Sequence, residues 1–189
     1  MMIVAIGVIV GVIVLMAILF FGVYNSLVRV RNQVQNSWSQ IDVQLKRRHD
    51  LIPNLMETVK GYMKHERETM EAVTKARTSA VEASGKGVGQ QAKAEGELSG
   101  MLTRFFAVAE NYPDLKANQN FLALQEELTT TENKISFARQ FYNDGVMNLN
   151  NKVQMFPSNM VAGMTGFKVG EFFELEAPAE REAPKVSFT

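Results

Sequence analysis

Residues 1–24 contain no charged side chain, and from 3 to 23 the run is nearly continuous Ile, Val, Leu, Met, Phe, Ala and Gly. About 21 residues at ~1.5 Å rise give ~31 Å, the thickness of a bilayer's hydrocarbon core. Backbone groups in lipid must be satisfied within the segment, so the run is expected to be a helix. Tyr24 follows it, where an interfacial aromatic is favoured. A cleaved secretory signal would need a basic leader, a shorter apolar core and a small-residue cleavage site. No Lys or Arg precedes the run and no A-x-A pattern ends it, so residues 1–24 read as an uncleaved transmembrane anchor. Gly7 and Gly11 give a G-x-x-x-G spacing, which lets apolar helices approach closely but is common by chance.

Flanking charge sets the expected orientation. Nothing basic precedes the anchor except the terminal amine, while Arg29, Arg31, Lys46, Arg47 and Arg48 follow it. The positive-inside rule then favours a cytoplasmic body with the N-terminus outside. The whole chain has 189 residues, 46% of them hydrophobic, and a formal net charge of +0. That length suits one domain plus an anchor, and balanced charge gives no pull toward nucleic acid. The absence of cysteine excludes disulfides, thiolate metal sites, a cysteine nucleophile and a lipidated cysteine.

Beyond the anchor, Pro and Gly punctuation predicts an all-α body: a long antiparallel helical bundle over 25–173. A long helix is expected over 26–83. Its apolar stripe is Val34, Trp38, Ile41, Leu45, Ile52, Leu55 and Val59, extended after a phase shift by Met63, Met70 and Val73. Pro53 lies inside it. Either the rod kinks there, or Asp50 caps a fresh helix with Pro53 in its first turn; dense apolar residues on both sides favour the kinked rod. Ser84 to Gly89 is glycine-rich and reads as a loop. A helix over 90–110 buries Leu98, Met101, Leu102, Phe105 and Phe106. Another over 118–153 steps by 3 and 4 through Phe121, Leu124, Leu128, Thr131, Ile135, Ala138, Tyr142, Gly145 and Leu149, a coiled-coil-like seam. A short C-terminal segment occupies 157–173, with a packed helix from about 157 to 164. Residues 174–189, rich in Glu, Ala and Pro, are expected to be disordered. No stretch alternates with period two, so no sheet is predicted.

Several stretches together carry a family resemblance. They are Tyr24-Asn25-x-Leu27-Val28, Trp38, Ile41-Asp42-Val43, and above all Arg47-Arg48-His49-Asp50-Leu51-Ile52-Pro53-Asn54-Leu55. Val59-Lys60-Gly61-Tyr62, Glu132-x-x-Ile135, Arg139-x-x-Tyr142-Asn143 and Phe156-Pro157-x-Asn159-x-Val161-Ala162 follow in order. The chain resembles the LemA family over nearly its whole length. The resemblance implies a bacterial inner-membrane protein with one N-terminal anchor and a long helical bundle. It carries over no catalytic, cofactor-binding or metal-binding residue.

His65-Glu66 opens like a zinc-protease H-E-x-x-H, but position 69 is Thr. Ser84-Gly85-Lys86-Gly87 lacks the order of a phosphate loop and no strand precedes it. Lys46-Arg47-Arg48 could meet lipid headgroups, but an upright rod holds Lys46 roughly 30 Å from the bilayer, beyond a Debye length of ~8 Å. Ion pairing with Asp42, Asp50 or a facing helix is the simpler expectation. Trp38 sits on the apolar stripe as a core residue. Glu132, Arg139, Tyr142 and Asn143 could form a buried network or a partner-binding surface. No catalytic site, metal or cofactor is therefore expected. The chain is expected to be a non-enzymatic membrane scaffold whose partners are the lipid bilayer and further copies of itself. The alternative is an adaptor or regulator that binds another membrane protein.

Overall fold

The computed structural model describes residues 1–174; the tail expected to be disordered, 174–189, lies outside the described residues save for Glu174. Among the described residues there are helices and no strand: α1 (Met2–Val59), α2 (Arg67–Ala83), α3 (Val88–Ala109), α4 (Pro113–Lys116), α5 (Gln119–Gln154) and α6 (Ser158–Thr165). The chain is all-α. It forms two compact units, one of Met1–Gln40 with Ala138–Glu171, the other of Ile41–Phe137 with the chain from Phe172. The stretch 25–173, expected to be one bundle, is divided between them, and α1 and α5 contribute to both.

The first unit holds the apolar run. Its most apolar 18-residue window has a mean hydropathy of 3.3, with 0% of it buried inside the protein. Ile3, Ile9, Leu15 and Met16 are all more than half exposed. That much uncovered aliphatic surface is stable only in a medium that does not cost cavity formation in water. α1 is thus long and apolar enough to cross a bilayer. Beyond the run, α1 and α5 approach closely, since a Cβ on Gly145 would sit 3.3 Å from Val34 Cγ2. A side chain here would press on Val34, so a glycine suits the seam. Trp38 packs on Tyr142 with ring centroids 5.3 Å apart, and the Tyr142 hydroxyl donates to the Glu171 carbonyl at 2.9 Å. Asn150 takes up the returning chain: its side-chain amide donates to the Gly170 carbonyl at 3.1 Å and accepts from the Gly170 N–H at 2.7 Å. α6 ends at Gly166, whose φ of 76° is left-handed. Leu27, Val161 and Ala162 form a small core with Phe20, Val23, Val153 and Phe167 against it.

The second unit holds the main core, including Ile52, Leu55, Val59, Met63, Val73, Leu98, Phe105, Leu115 and Phe121. The continuous helix expected over 26–83 is corrected here. α1 stops at Val59 and α2 starts at Arg67. The phase shift between Val59 and Met63 marks this break rather than a drifting stripe. The N–H groups of Tyr62 and Met63 both turn back to the Val59 carbonyl, and Met63 plugs the core with no exposed surface. Pro53, by contrast, sits inside α1; the carbonyl it leaves unpaired at His49 is taken by Arg77. Gly85 and Gly87 have positive φ, which accounts for the glycine-rich link to α3.

The distal turns of this unit are braced by side chains. Asn118 Oδ1 accepts from the N–H groups of Asn120 and Phe121, capping α5. Its amide nitrogen donates to the Tyr62 hydroxyl at 3.0 Å. The Tyr112 hydroxyl donates to Glu66 Oε1 at 3.1 Å. α4, with Pro113 in its first turn, was not anticipated from the sequence.

Candidate functional site

The α1 stripe steps from Leu45 to Ile52, and the core position between them is Arg48. Its exposure is 1%, which places a full guanidinium in the interior of the second unit. Extending the Leu98–Leu102–Phe105 stripe of α3 backward by one and two turns lands on Glu95 and Gln91, both equally buried. Two helices thus turn a polar residue inward where the pattern calls for an apolar one. Burying a charge is costly unless it is paired and hydrogen-bonded.

Arg48 is paired on several sides. Its guanidinium donates to the carboxylates of Glu95 on α3 and Glu132 on α5, and to Ser99 Oγ at 2.8 Å. Side chains from α1, α3 and α5 therefore meet at one cation. His49 lies next to it, with Nε2 2.9 Å from Glu95 Oε1. That contact has ion-pair distance without hydrogen-bond alignment, and Arg48 Nε and Gln91 Nε2 also lack hydrogen-bond partners. Burial would push the Glu95 carboxyl up, but the neighbouring His49 and Arg48 outweigh it and hold Glu95 below the usual carboxylate range.

A cleft of about 250 Å³ reaches this network through Arg48, Ser99 and Glu132, below the range of about 300–1,000 Å³ usual for small-molecule sites. Ser99 directs its hydrogen bond toward Glu132 at 3.4 Å. His49 is engaged with Glu95, so the hydroxyl and the imidazole form no nucleophile–base pair. Among the described residues no group of three or more His, Asp or Glu is placed to hold a metal ion. The arrangement ties α1, α3 and α5 together through one guanidinium.

The residues singled out in the sequence fall as follows. Arg47 and Arg48 pair with acids on facing helices, Glu127 for Arg47. Asp42 and Asp50, the other candidates, are exposed. Lys46 is exposed as well. His65 is exposed in the turn after α1, and Glu66 serves Tyr112. Glu132 joins Arg48, whereas Tyr142 reaches Glu171, so the polar group on α5 serves two different purposes. Glu95 and Gln91 were missed, although their positions on the α3 stripe were the available signal.

The stretch 47–55, which supplies Arg48, His49 and Pro53, is also the one that carries most of the family resemblance. A family model described as LemA family matches residues 37–188. The chain belongs to the LemA family. It is 30% identical over 150 residues to Protein LemA of Metamycoplasma hominis, covering 76% of this chain and 67% of that protein. It is 27% identical over 180 residues to Magnetosome protein MamQ 1 of Paramagnetospirillum magneticum, covering 82% of this chain and 66% of the relative. Magnetosome protein MamQ of Magnetospirillum gryphiswaldense is 24% identical over the same length. The chain thus spans just under two thirds of the MamQ relatives. Within the LemA family frame, the buried Arg48 network is the chief polar feature of the second unit.

Proposed function

We propose that this LemA-family chain is a non-enzymatic scaffold of the bacterial inner membrane, anchored by residues 1–24 with its body in the cytoplasm, and that copies associate side by side. The observation that carries the reading is Phe141. It is a phenyl ring on α5 that is 65% exposed, while Tyr142 and Val146 on the same helix are buried. An aromatic ring left in water on a well-packed helix is a surface that contact with a further chain would cover. Gly7 and Gly11 support it, because a Cβ on either would meet no other side chain within 4 Å, and a second anchor could approach closely there.

The second reading, an adaptor for another membrane protein, is favoured by the surroundings of Phe141. The groove beside it, about 530 Å³, is lined by Asn32, Gln33, Asn36, Gln40 and Arg29. Amides of this kind suit a hydrogen-bonding partner segment.

The test is the mass of the full-length protein in native polymer discs, for the wild type and for Phe141→Ser. A defined oligomer that dissociates in the variant supports the scaffold. A wild-type monomer rejects self-association and leaves the adaptor, whose partner crosslinking from Asn36 would then capture.

A further inference from the structure

α6 packs within the first unit. Its buried residues, Val161 and Ala162, cover Leu27 together with Phe20 and Val23 of α1. Phe20 and Val23 belong to the uncharged run, so whatever packs on them shares their depth. The ring of Phe167 lies against Tyr24, centroids 6.1 Å apart, at the position of an interfacial aromatic.

The other side of α6 is uncovered and apolar. Met160 is 60% exposed and Met164, one turn on, 77%; Phe156 in the preceding turn is 78% exposed. No charged residue occurs between Lys152 and Lys168. Lys152 precedes this uncharged stretch and Lys168 follows it; on the α1 side, the Arg31 guanidinium lies 5.0 Å from the Phe167 ring centroid and Lys152 Nζ donates to Ser26 Oγ at 2.8 Å. A water-facing helix would place polar side chains at these positions. An uncharged apolar face on a segment flanked by lysines is the pattern of a helix lying in the plane of an anionic membrane surface.

We propose that residues 155–164 form a second membrane contact beside the anchor, with Phe156, Met160 and Met164 among the acyl chains and the flanking lysines at the headgroups. The inference rests on α1 being a membrane anchor. Continuity with the apolar run selects lipid as the occupant, since α6 packs on Phe20 and Val23, which end that run, and so lies at the depth where an anchor meets the bilayer. Flexible Met side chains suit a fluid, disordered partner.

The chain has no cysteine, so single cysteines can be placed at Leu15, Ser84, Met160 and Met164 in the full-length protein. Each variant is labelled with a polarity-sensitive fluorophore and reconstituted into phosphatidylcholine–phosphatidylglycerol vesicles, with and without brominated acyl chains. The expected result is several-fold stronger bromine quenching at Met160 and Met164 than at Ser84, approaching that at Leu15. If Leu15 is quenched by bromine while the α6 labels respond to aqueous iodide as Ser84 does, the second contact is overturned and the anchor stands. If the α6 labels are shielded from both quenchers, protein covers the patch and the proposal is likewise overturned. If Leu15 itself escapes bromine, the anchor reading fails and the inference falls with it.

Discussion

Arg77 Nε donates a 2.7 Å hydrogen bond to the carbonyl oxygen of His49, the oxygen to which residue 53 would donate were it not proline. A side chain from α2 thereby repairs the helix defect in α1. Replacing Arg77 by Met should leave that carbonyl unpaired and cost about 1–3 kcal/mol. In a Pro53→Ala background, which restores the N–H, the same replacement should cost distinctly less. Urea unfolding of the four proteins in detergent, followed by circular dichroism, gives the double-mutant cycle; equal losses in both backgrounds would refute the repair.

Arg48 should be among the most sensitive positions of the second unit. Arg48→Met removes the cation that two carboxylates share and is expected to destabilise by roughly 3–5 kcal/mol, because buried charge is left unpaired. Adding Glu95→Gln to Arg48→Met should recover part of that loss. Thermal unfolding of single and double variants decides it, and a double variant as weak as the sum of the singles would contradict a shared network.

The network also predicts acid sensitivity. Folded Glu95 titrates below its ordinary value of 4.5, so the unfolded chain takes up this proton more readily. The stabilisation is fully present above about 4.5 and is lost as pH falls through the depressed folded value. The wild-type melting temperature should drop over that range more steeply than that of Glu95→Gln. Parallel slopes would assign the acid response to other carboxylates.

Much of this architecture was readable from spacing alone. The exposed apolar stretch of α1 follows from an uncharged run, and the limits of α3 and α5 from Gly and Pro. Other features were not readable, for different reasons. The break after Val59 was visible only as a phase shift, and a shift is equally compatible with a bent rod; buried Met63 decides it, and burial is a tertiary fact. Glu95 was passed over because a lone acid in a stripe looks like an interruption, and its partner Arg48 lies far away in sequence.

Asn150 should hold the returning chain in place. Asn150→Leu removes both hydrogen bonds to Gly170, and amide exchange at Gly170 should accelerate while exchange within α1 stays unchanged. Unaltered protection at Gly170 would show that packing on Val146 suffices without the amide.

The bracing of the distal turns has a consequence for how this region opens. Loops at a bundle's end ordinarily fray one at a time, at little free-energy cost. Here the turn after α1 is tied to the entry of α4 through Glu66 and Tyr112, and to the start of α5 through Tyr62 and Asn118. Releasing any one of these turns breaks a bond held by another. The two bonds therefore couple the opening of these turns, so that a protease cutting one of them is expected to meet a segment whose release also costs its neighbour a hydrogen bond.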